Sequence, residues 1–277
     1  MGLSETLHGS IDHALDAAPL RWLRRRRYER FFCSGKPFLA HRGVYLTRAD
    51  AQRHLPAPAW RGYDSAAGAR LHLDRVTLVY PSDYPVMLWL HRLFQDGCAS
   101  VFDVGGNVGV SYYSFERFIA YPARLRWLVC EVPAVAAQGE HLAAGWDPRN
   151  QISFTEDLEQ AEGFDVLLAC GSLQYLPRLL SDELATLKPR PRHLILNSVA
   201  LHPRRSFYTV QNIHGDVFVP YRITREHEFL AGYERLGYEL RDRWKVVEKR
   251  CHIPFAPGCS IEHFQGFYFQ LGAAPVS

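Results

Sequence analysis

The stretch FDVGGNVGV (102–110) decides the fold, because it combines the end of an apolar strand, a glycine turn and the beginning of a helix. Glycines permit the tight backbone conformations of such a turn and let a ligand come close to the backbone. The first peptide groups of the helix add unpaired N–H donors and the positive end of the helix dipole. The pattern indicates either a nucleotide pocket or a plain tight turn.

Strands and helices alternate on both sides of this turn. Apolar strands are predicted at 99–104, 126–132, 151–157, 164–170 and 193–199. Helical stretches separate them, and this alternation predicts a doubly wound, mostly parallel α/β sheet of the Rossmann-like type. Two late strands, near 239–248 and 265–271, are expected to add one antiparallel strand to that sheet.

Two regions depart from the alternation. Residues 1–70 are predicted to form an N-terminal extension, with a basic helix at 11–33 followed by a loop rich in Gly, Pro and Ala that contains short pieces of structure (34–70), and residues 71–277 to form the sheet domain. Within that domain, residues 202–224 are predicted to be an irregular insertion. Because a strand-to-helix connection usually has 2–6 residues, we expect this longer one to act as a lid at the carboxyl ends of the strands.

Composition excludes several classes of protein. The chain has 277 residues, 47% of them hydrophobic and 22% charged, which is ordinary for a globular protein. With 32 basic and 29 acidic residues it is too balanced for a dedicated nucleic-acid binder. We expect a cytoplasmic, reduced protein, since the sequence shows no signal peptide, no apolar run of ~20 residues and no CxxC pair.

Two further patterns allow a functional and a plain interpretation. Residues 20–32 flank the four Arg at 24–27 with Leu, Trp, Tyr and Phe, so this helix either touches an anionic membrane surface weakly or packs by its aromatics with Arg in solvent. One basic turn binds membranes weakly, which favours the second interpretation. Cys251-His252…Cys259…His263 has metal-ligand residue types without a zinc spacing, so no metal site is predicted.

The spacing of the glycine turn distinguishes two classes of cofactor. The nicotinamide pattern GxGxxG fails, because with Gly106 and Gly109 as its last two glycines the first position is Val104. The pattern acidic-x-G-x-G-x-G fits DVGGNVG (103–109), with Asn107 at the middle glycine. Asn tolerates a positive φ, so the turn can survive this replacement.

Carboxylates stand at the ends of the first two predicted strands. Glu131 ends the second strand, where a carboxylate can accept hydrogen bonds from both hydroxyls of a ribose. Asp103 ends the first strand. A buried carboxylate without a partner costs several kcal/mol or stays protonated, so Asp103 is suited either to fixing the loop or to meeting a ligand.

These residues resemble class I S-adenosylmethionine-dependent methyltransferases. More narrowly, several segments resemble a little-characterised bacterial family assigned as methyltransferases and often encoded near genes for cell-surface polysaccharides. The resemblance covers about residues 70–272, and its motifs lie at 102–115, 125–135, 167–176, 208–213, 219–223 and 266–271. The substrate of that family does not carry over.

The resemblance implies that S-adenosyl-L-methionine binds at the carboxyl ends of the first four strands. Its methionine part would border the turn residues Asp103, Gly105, Gly106, Asn107 and Gly109. Its ribose and adenine would meet Glu131, Val132, Asp157 and Leu158, and the floor would be Cys170, Gly171 and Ser172. For Asp157 the alternative is a solvated surface residue in the acidic stretch TEDLEQAE.

The acceptor should bind beyond the carboxyl ends of the strands. If it is a hydroxyl, a base helps to remove its proton. His214 is the first choice of base, since Asp216 could orient it, and His202 is the second. Tyr175 and Gln211 are the further catalytic candidates. Each histidine has the alternative of a solvent residue without a catalytic role.

We therefore expect an S-adenosylmethionine-dependent methyltransferase that acts on an oxygen of a sugar, a glycan or another small hydroxylated acceptor. Two alternatives stay open: a non-catalytic scaffold that keeps the fold, and a nicotinamide-dependent oxidoreductase, which the glycine spacing disfavours. The sequence predicts neither the acceptor nor the oligomeric state.

Overall fold

The computed structural model of the protein describes residues 18–34, 38–56, 63–65, 68–69, 73–214 and 217–272. In chain order its strands are β1 (Phe38–Tyr45), β2 (Ser100–Val104), β3 (Arg126–Cys130), β4 (Ile152–Thr155), β5 (Val166–Cys170), β6 (His193–Val199), β7 (Leu201–His202), β8 (Phe207–His214), β9 (Val217–Arg225), β10 (Tyr238–Val246) and β11 (Phe264–Leu271). Its α-helices are α1 (Ala18–Phe32), α2 (Arg48–Arg53), α3 (Asp83–Gln95), α4 (Val110–Phe115), α5 (Pro133–Trp146), α6 (Leu180–Leu184) and α7 (Glu226–Glu234).

The central sheet has seven strands in the order β10-β11-β6-β5-β2-β3-β4. The pairs from β4 to β6 are parallel, and β11 runs antiparallel to both β6 and β10. Strand β5 is apolar, β6 carries the apolar run 194–196, and both strands are almost entirely buried, as expected for parallel strands covered on both faces. The predicted doubly wound α/β fold with one late antiparallel strand is confirmed.

Helices cover both faces of this sheet. On one face, α6 and α7 contribute buried Leu184 and Phe229 to a core with Phe267 of β11. On the other face, α3 and α4 contribute Leu90 and Tyr112. The chain starts in the middle of the sheet at β2, moves outward through β3 and β4, and returns to β5 beside β2. The crevice between the carboxyl ends of β2 and β5 is therefore the topological switch point, where ligands bind in such sheets.

The prediction that residues 202–224 are irregular is corrected by the structure, which forms strands there, while their role as a lid stays a prediction. β8 and β9 pair as an antiparallel hairpin, β1 pairs with β8, and β7 pairs with β9. This second sheet has the order β1-β8-β9-β7. Its strands were not predicted, because β8 buries polar as well as apolar residues and so lacks the alternation of polar and apolar side chains that marks a strand in a sequence. The partner strand β1 lies in the segment predicted to be loop with short pieces of structure, and it is one of those pieces.

The predicted boundary between an extension (1–70) and a sheet domain (71–277) is bridged by this second sheet. Helix α1 packs on this sheet. Phe32 is buried there, with its ring centroid 5.5 Å from that of Phe218, and Asn212 Nδ2 donates a hydrogen bond to the Phe32 carbonyl (2.8 Å). Trp22 of α1 is exposed, so contact of this helix with a membrane surface stays a prediction. Among the described residues, no helix is both long and apolar enough to span a bilayer. The first part of the predicted helix 11–33 lies outside those residues.

Candidate functional site

The glycine turn lies at the switch point, between β2 and the short helix α4. Gly105 and Gly109 have φ of +69° and +91°, and Asn107 has a φ of +53°. Gly105 N–H donates to the Cys130 carbonyl (2.8 Å), which fixes the turn against the end of β3. Asn107 thus adopts the left-handed conformation that the sequence pattern required of it.

The glycines of the turn are required by the protein's own packing. A Cβ on Gly105 would lie 2.4 Å from Ser172 Cβ, and one on Gly106 would lie 2.4 Å from Asp103 Oδ2. A Cβ on Gly109 would lie 2.4 Å from Ile152 Cδ1. The glycine spacing is therefore explained without a ligand, and the chemistry of the site has to come from the neighbouring side chains.

Asp103 is fully buried beneath the turn. Trp127 Nε1 donates to its Oδ2 (3.2 Å), while Oδ1 has no hydrogen-bond partner in the described part of the chain. Burial, with a smaller contribution from the nearby Glu131, raises the pKa of Asp103 to about 7 against the hydrogen bond from Trp127. A buried carboxylate with an unused oxygen is suited to a cationic or hydrogen-bond-donating ligand group.

Glu131 lies at the carboxyl end of β3, beside the turn. It accepts hydrogen bonds from Asn107 N–H (2.9 Å) and from Val132 N–H (3.1 Å). Burial raises its pKa to about 7 despite these two bonds. Each carboxylate oxygen has further acceptor capacity, so Glu131 can accept hydroxyl groups of a ligand beside the turn.

The structure adds Tyr63 and Asp64, which sequence analysis missed. Asn107 Nδ2 donates to Tyr63 Oη, and Asp64 Oδ1 accepts from Ala134 N–H at the start of α5 (2.8 Å). Both residues come from the predicted extension and lie against the turn. No strand or helix pattern marks residues 63–65, so only the fold could reveal them.

The remaining predicted cofactor residues lie around the same crevice. Ser172 follows β5, and its Oγ donates to the Val104 carbonyl at the end of β2. Asp157 is exposed after β4, and its Oδ1 accepts from Glu159 N–H as the cap of a 3-10 turn that begins at Leu158. Residues after β2, β3, β4 and β5 thus meet at one edge of the sheet, as parallel strands require.

Two of the four catalytic candidates are in direct contact. Tyr175 Oη donates to Gln211 Oε1 (2.8 Å) and so joins the loop after β5 to the second sheet. Gln211 Nε2 lies 3.3 Å from Nε2 of His41, which sequence analysis missed. Burial lowers the pKa of His41 to about 3, so its imidazole is neutral and accepts the amide hydrogen. Tyr175, Gln211 and His41 form one buried polar chain.

The two predicted bases lie elsewhere. Both nitrogens of buried His202 are engaged: Nδ1 accepts from Arg204 N–H (3.1 Å) and Arg205 N–H (3.2 Å), and Nε2 donates to the Gly258 carbonyl (2.9 Å). His202 therefore holds a loop. His214 is exposed at the end of β8, and Asp216, proposed to orient it, lies outside the described residues.

The cysteines and histidines after β10 do not converge. Cys251 is buried in an apolar cluster, and Cys259 Sγ accepts from Arg205 Nη2 (2.6 Å). Within the described ranges, no three His, Cys, Asp or Glu side chains come together as a metal site would require.

No family model and no curated protein matches the chain. The 1,6-didemethyltoxoflavin-N1-methyltransferase of Burkholderia thailandensis aligns with a TM-score of 0.46 and 18% identity over 75% of this chain and 83% of its own. Magnesium protoporphyrin IX methyltransferase of Synechocystis aligns with a TM-score of 0.46 and 16% identity over 76% and 94%. A glycopeptide N-methyltransferase aligns with a TM-score of 0.46 and 12% identity over 66% and 93%. These three structures contain S-adenosylmethionine or S-adenosylhomocysteine.

Proposed function

We propose that the protein is an S-adenosylmethionine-dependent methyltransferase that methylates an oxygen of a sugar or another small hydroxylated acceptor. The observation that carries the proposal is the pair of carboxylates beside a glycine turn at the switch point of the sheet, with Asp103 fully buried and Glu131 half-buried. The sequence resemblance to class I methyltransferases supports the same assignment.

The residues fit this cofactor better than they fit a dinucleotide. S-adenosylmethionine carries an ammonium and a sulfonium against one carboxylate, so its net charge is positive, and the unused Asp103 Oδ1 is a partner for a cation. A dinucleotide would instead bring its phosphate charges to the turn, where Asp103 and Glu131 would repel them. Both carboxyls have raised pKa values without a cation, and a cationic ligand would favour their ionised forms.

Different residues around the crevice would contact different parts of the cofactor. Glu131 would accept from the ribose hydroxyls, and Asp103 would hold the ammonium. Val132, Asp157 and Leu158 follow β3 and β4 and would meet the adenine. When bound, S-adenosylmethionine supplies a methyl group on a sulfonium for in-line displacement.

Tyr175 and Gln211 would bind the acceptor. Burial raises the pKa of Tyr175, so it stays protonated and acts through hydrogen bonds. While its hydrogen is donated to Gln211, its oxygen can accept from an acceptor hydroxyl and so orient that oxygen for attack. As the acceptor oxygen takes the methyl group and the methyl–sulfur bond breaks to leave S-adenosylhomocysteine, the hydroxyl proton would pass to water.

The first experiment is calorimetric titration with S-adenosylhomocysteine and, separately, with NAD. We expect the wild-type protein to bind S-adenosylhomocysteine and not NAD. Asp103→Asn should weaken the binding about 10–100-fold, the scale of a hydrogen bond to a charged group. Asp96→Asn, at an exposed carboxylate that ends α3, is the matched control and should bind like wild type. Preference for NAD, or no binding of S-adenosylhomocysteine, would contradict the proposal.

A methyl-transfer screen separates the enzyme from a scaffold of the same fold. Radiolabelled S-adenosylmethionine would be incubated with nucleotide sugars, glycans and phenols, and label in the acceptor measured. We expect transfer to hydroxylated acceptors. A protein that binds the cofactor and labels no acceptor class would be the non-catalytic scaffold instead.

A further inference from the structure

A lysine lies on the opposite wall of the proposed cofactor crevice. Lys249 follows β10, and its Nζ lies 3.4 Å from the point that a Cβ on Gly171 would occupy. The Cβ of Ser198 in β6 lies 3.6 Å from the same point. Gly171 and Ser198 both have positive φ, of +82° and +59°, at the carboxyl ends of β5 and β6. The Lys249 ammonium therefore lies at the side of the sheet where an acceptor would approach.

A second cationic side chain, Arg75, lies near Lys249. Arg75, in the 3-10 turn Leu73–Thr77, is close enough that its charge lowers the pKa of Lys249. Its guanidinium lies over the ring of Tyr80, 4.8 Å from the centroid, and its Nε is buried without a hydrogen-bond partner among the described residues. Two positive side chains thus lie within electrostatic range of each other, with the Lys249 ammonium beside Gly171.

The acidic groups near these cations are already engaged. Asp83 of α3 accepts from Tyr80 N–H (2.9 Å) and Asn197 Nδ2 (3.4 Å), and Glu248 accepts from Ser82 N–H (3.0 Å). Cys170 is the remaining titratable side chain that faces Lys249. In the described part of the protein, Lys249 Nζ makes neither a hydrogen bond nor an ion pair, although Asp83 and Glu248 attract it at longer range.

The Lys249 ammonium and the Arg75 guanidinium have N–H donors without hydrogen-bond partners among the described residues, in a partly buried site. An anion would balance their charge there. Burial, with the like charge of Arg75, lowers the pKa of Lys249 to about 8. An anion between the two side chains would satisfy their free N–H donors and reverse that shift.

We propose that Lys249 and Arg75 form an acceptor subsite that binds a phosphate or carboxylate group of the methyl acceptor. The inference rests on the proposed function and narrows its substrate class to anionic hydroxylated molecules, such as a nucleotide sugar or a uronic acid. Arg75 contributes planar, directional donors and Lys249 a point charge, a combination suited to an oxyanion.

Amine labelling tests the subsite without measuring activity. The protein has only four lysines, so acetylation of each can be followed by mass spectrometry. Lys245, exposed on the neighbouring strand β10, is the internal control. We expect uridine diphosphate glucose and glucuronate, titrated separately, to slow acetylation of Lys249 and to raise the pH at which it reacts. Lys245 should be unaffected, and neutral methyl glucoside should change neither residue.

The two anionic probes distinguish the sources of the charge. Protection by the nucleotide sugar alone indicates a phosphate, and protection by glucuronate alone indicates a carboxylate; either outcome supports the subsite. Lys249→Gln and Arg75→Gln should weaken binding of the protecting probe about tenfold or more, whereas Lys245→Gln should not. Unchanged labelling of Lys249 over full titrations of both probes would overturn the proposal.

The outcome is separable from that of the cofactor titration. If S-adenosylhomocysteine binds but no anion protects Lys249, only the acceptor subsite fails. If anions protect Lys249 but S-adenosylhomocysteine does not bind, the subsite stands and the methyltransferase proposal fails.

Discussion

The two halves of the candidate site are built differently. The cofactor half uses residues 103–172, which come from consecutive strand-helix units of one sheet. The acceptor half gathers Tyr175, Gln211, His41 and Lys249 from both sheets and from distant parts of the chain. In the first half, the order of elements along the sequence sets the geometry. In the second, tertiary contacts between distant segments set it, and a sequence motif cannot report them.

The largest expected effect tests the cofactor half. Gly105→Val should abolish binding of S-adenosylhomocysteine, because the new side chain needs a φ of +69° and meets Ser172 at 2.4 Å. Gly163→Val is the matched control, with a φ of +73° and nothing within 4 Å of its Cβ position. We expect Gly105→Val to be less stable than the control by about 1–3 kcal/mol in urea unfolding. Equal stability and full affinity would show that the turn is not packed as described.

Sequence analysis predicted the first half because its signals are local. The strand, turn and helix around Asn107 stand in one short stretch, and Glu131 ends the very next strand. The seven strands of the central sheet were all anticipated within a few residues.

Sequence analysis named Tyr175 and Gln211 of the second half, but it could not predict how they are brought together with His41, for a physical reason. β8 buries Thr209, Gln211 and Asn212 inside a sheet that also carries apolar Val210, so its pattern is neither alternating nor continuously apolar. β1 contains a glycine and an arginine, which weaken its strand pattern. Its partner β8 lies far away in the sequence, so the pairing is visible only in the folded protein. Without that pairing, His41 lies in a loop-like segment and shows no relation to Gln211.

The second prediction uses pH to examine the carboxylates of the cofactor half. Asp103 has a pKa raised to about 7 in the folded protein, against about 3.9 when unfolded. Between these values the folded state holds a proton that the unfolded state has released. The free energy of unfolding therefore falls as pH rises through that window.

Relative to Asp103→Asn, wild type should lose up to about 3 kcal/mol of stability between pH 4 and 7 without ligand. Urea unfolding at several pH values measures the difference. The exposed-site variant Asp96→Asn should follow the wild-type curve. Parallel curves for wild type and Asp103→Asn would mean that Asp103 is not titrating from a raised pKa.

The third prediction concerns Glu131 alone. Glu131→Gln should weaken binding of S-adenosylhomocysteine about tenfold to a hundredfold, because an amide accepts less strongly from hydroxyls than a carboxylate does. Glu140→Gln, at an exposed position of α5, provides the control. Titration calorimetry at pH 8, where Glu131 is mostly ionised, gives the cleanest comparison. Unchanged affinity in a folded variant would remove Glu131 from the proposed ribose contact.

The smallest expected effects lie in the acceptor half. The comparison is between Tyr175, which contacts β8 through Gln211, and His214, which ends β8. Tyr175→Phe removes the hydrogen bond to Gln211 and the oxygen that would orient the acceptor. We expect kcat/KM for an identified hydroxyl acceptor to fall about three- to tenfold, the worth of one neutral hydrogen bond. Affinity for S-adenosylhomocysteine should not change, because the cofactor half does not contain this hydroxyl.

His214→Ala is the companion variant, because His214 was the first choice of base from the sequence. It is exposed and lies three residues beyond Gln211, about 10 Å further along an extended strand. A general base contributes about 10²–10⁴-fold to turnover, whereas a solvent histidine at that distance from Gln211 contributes almost nothing. We therefore expect the two variants to rank with Tyr175→Phe as the slower enzyme. A hundredfold loss in His214→Ala, with a pH profile that loses its acidic limb, would reverse that order and return the acceptor proton to His214.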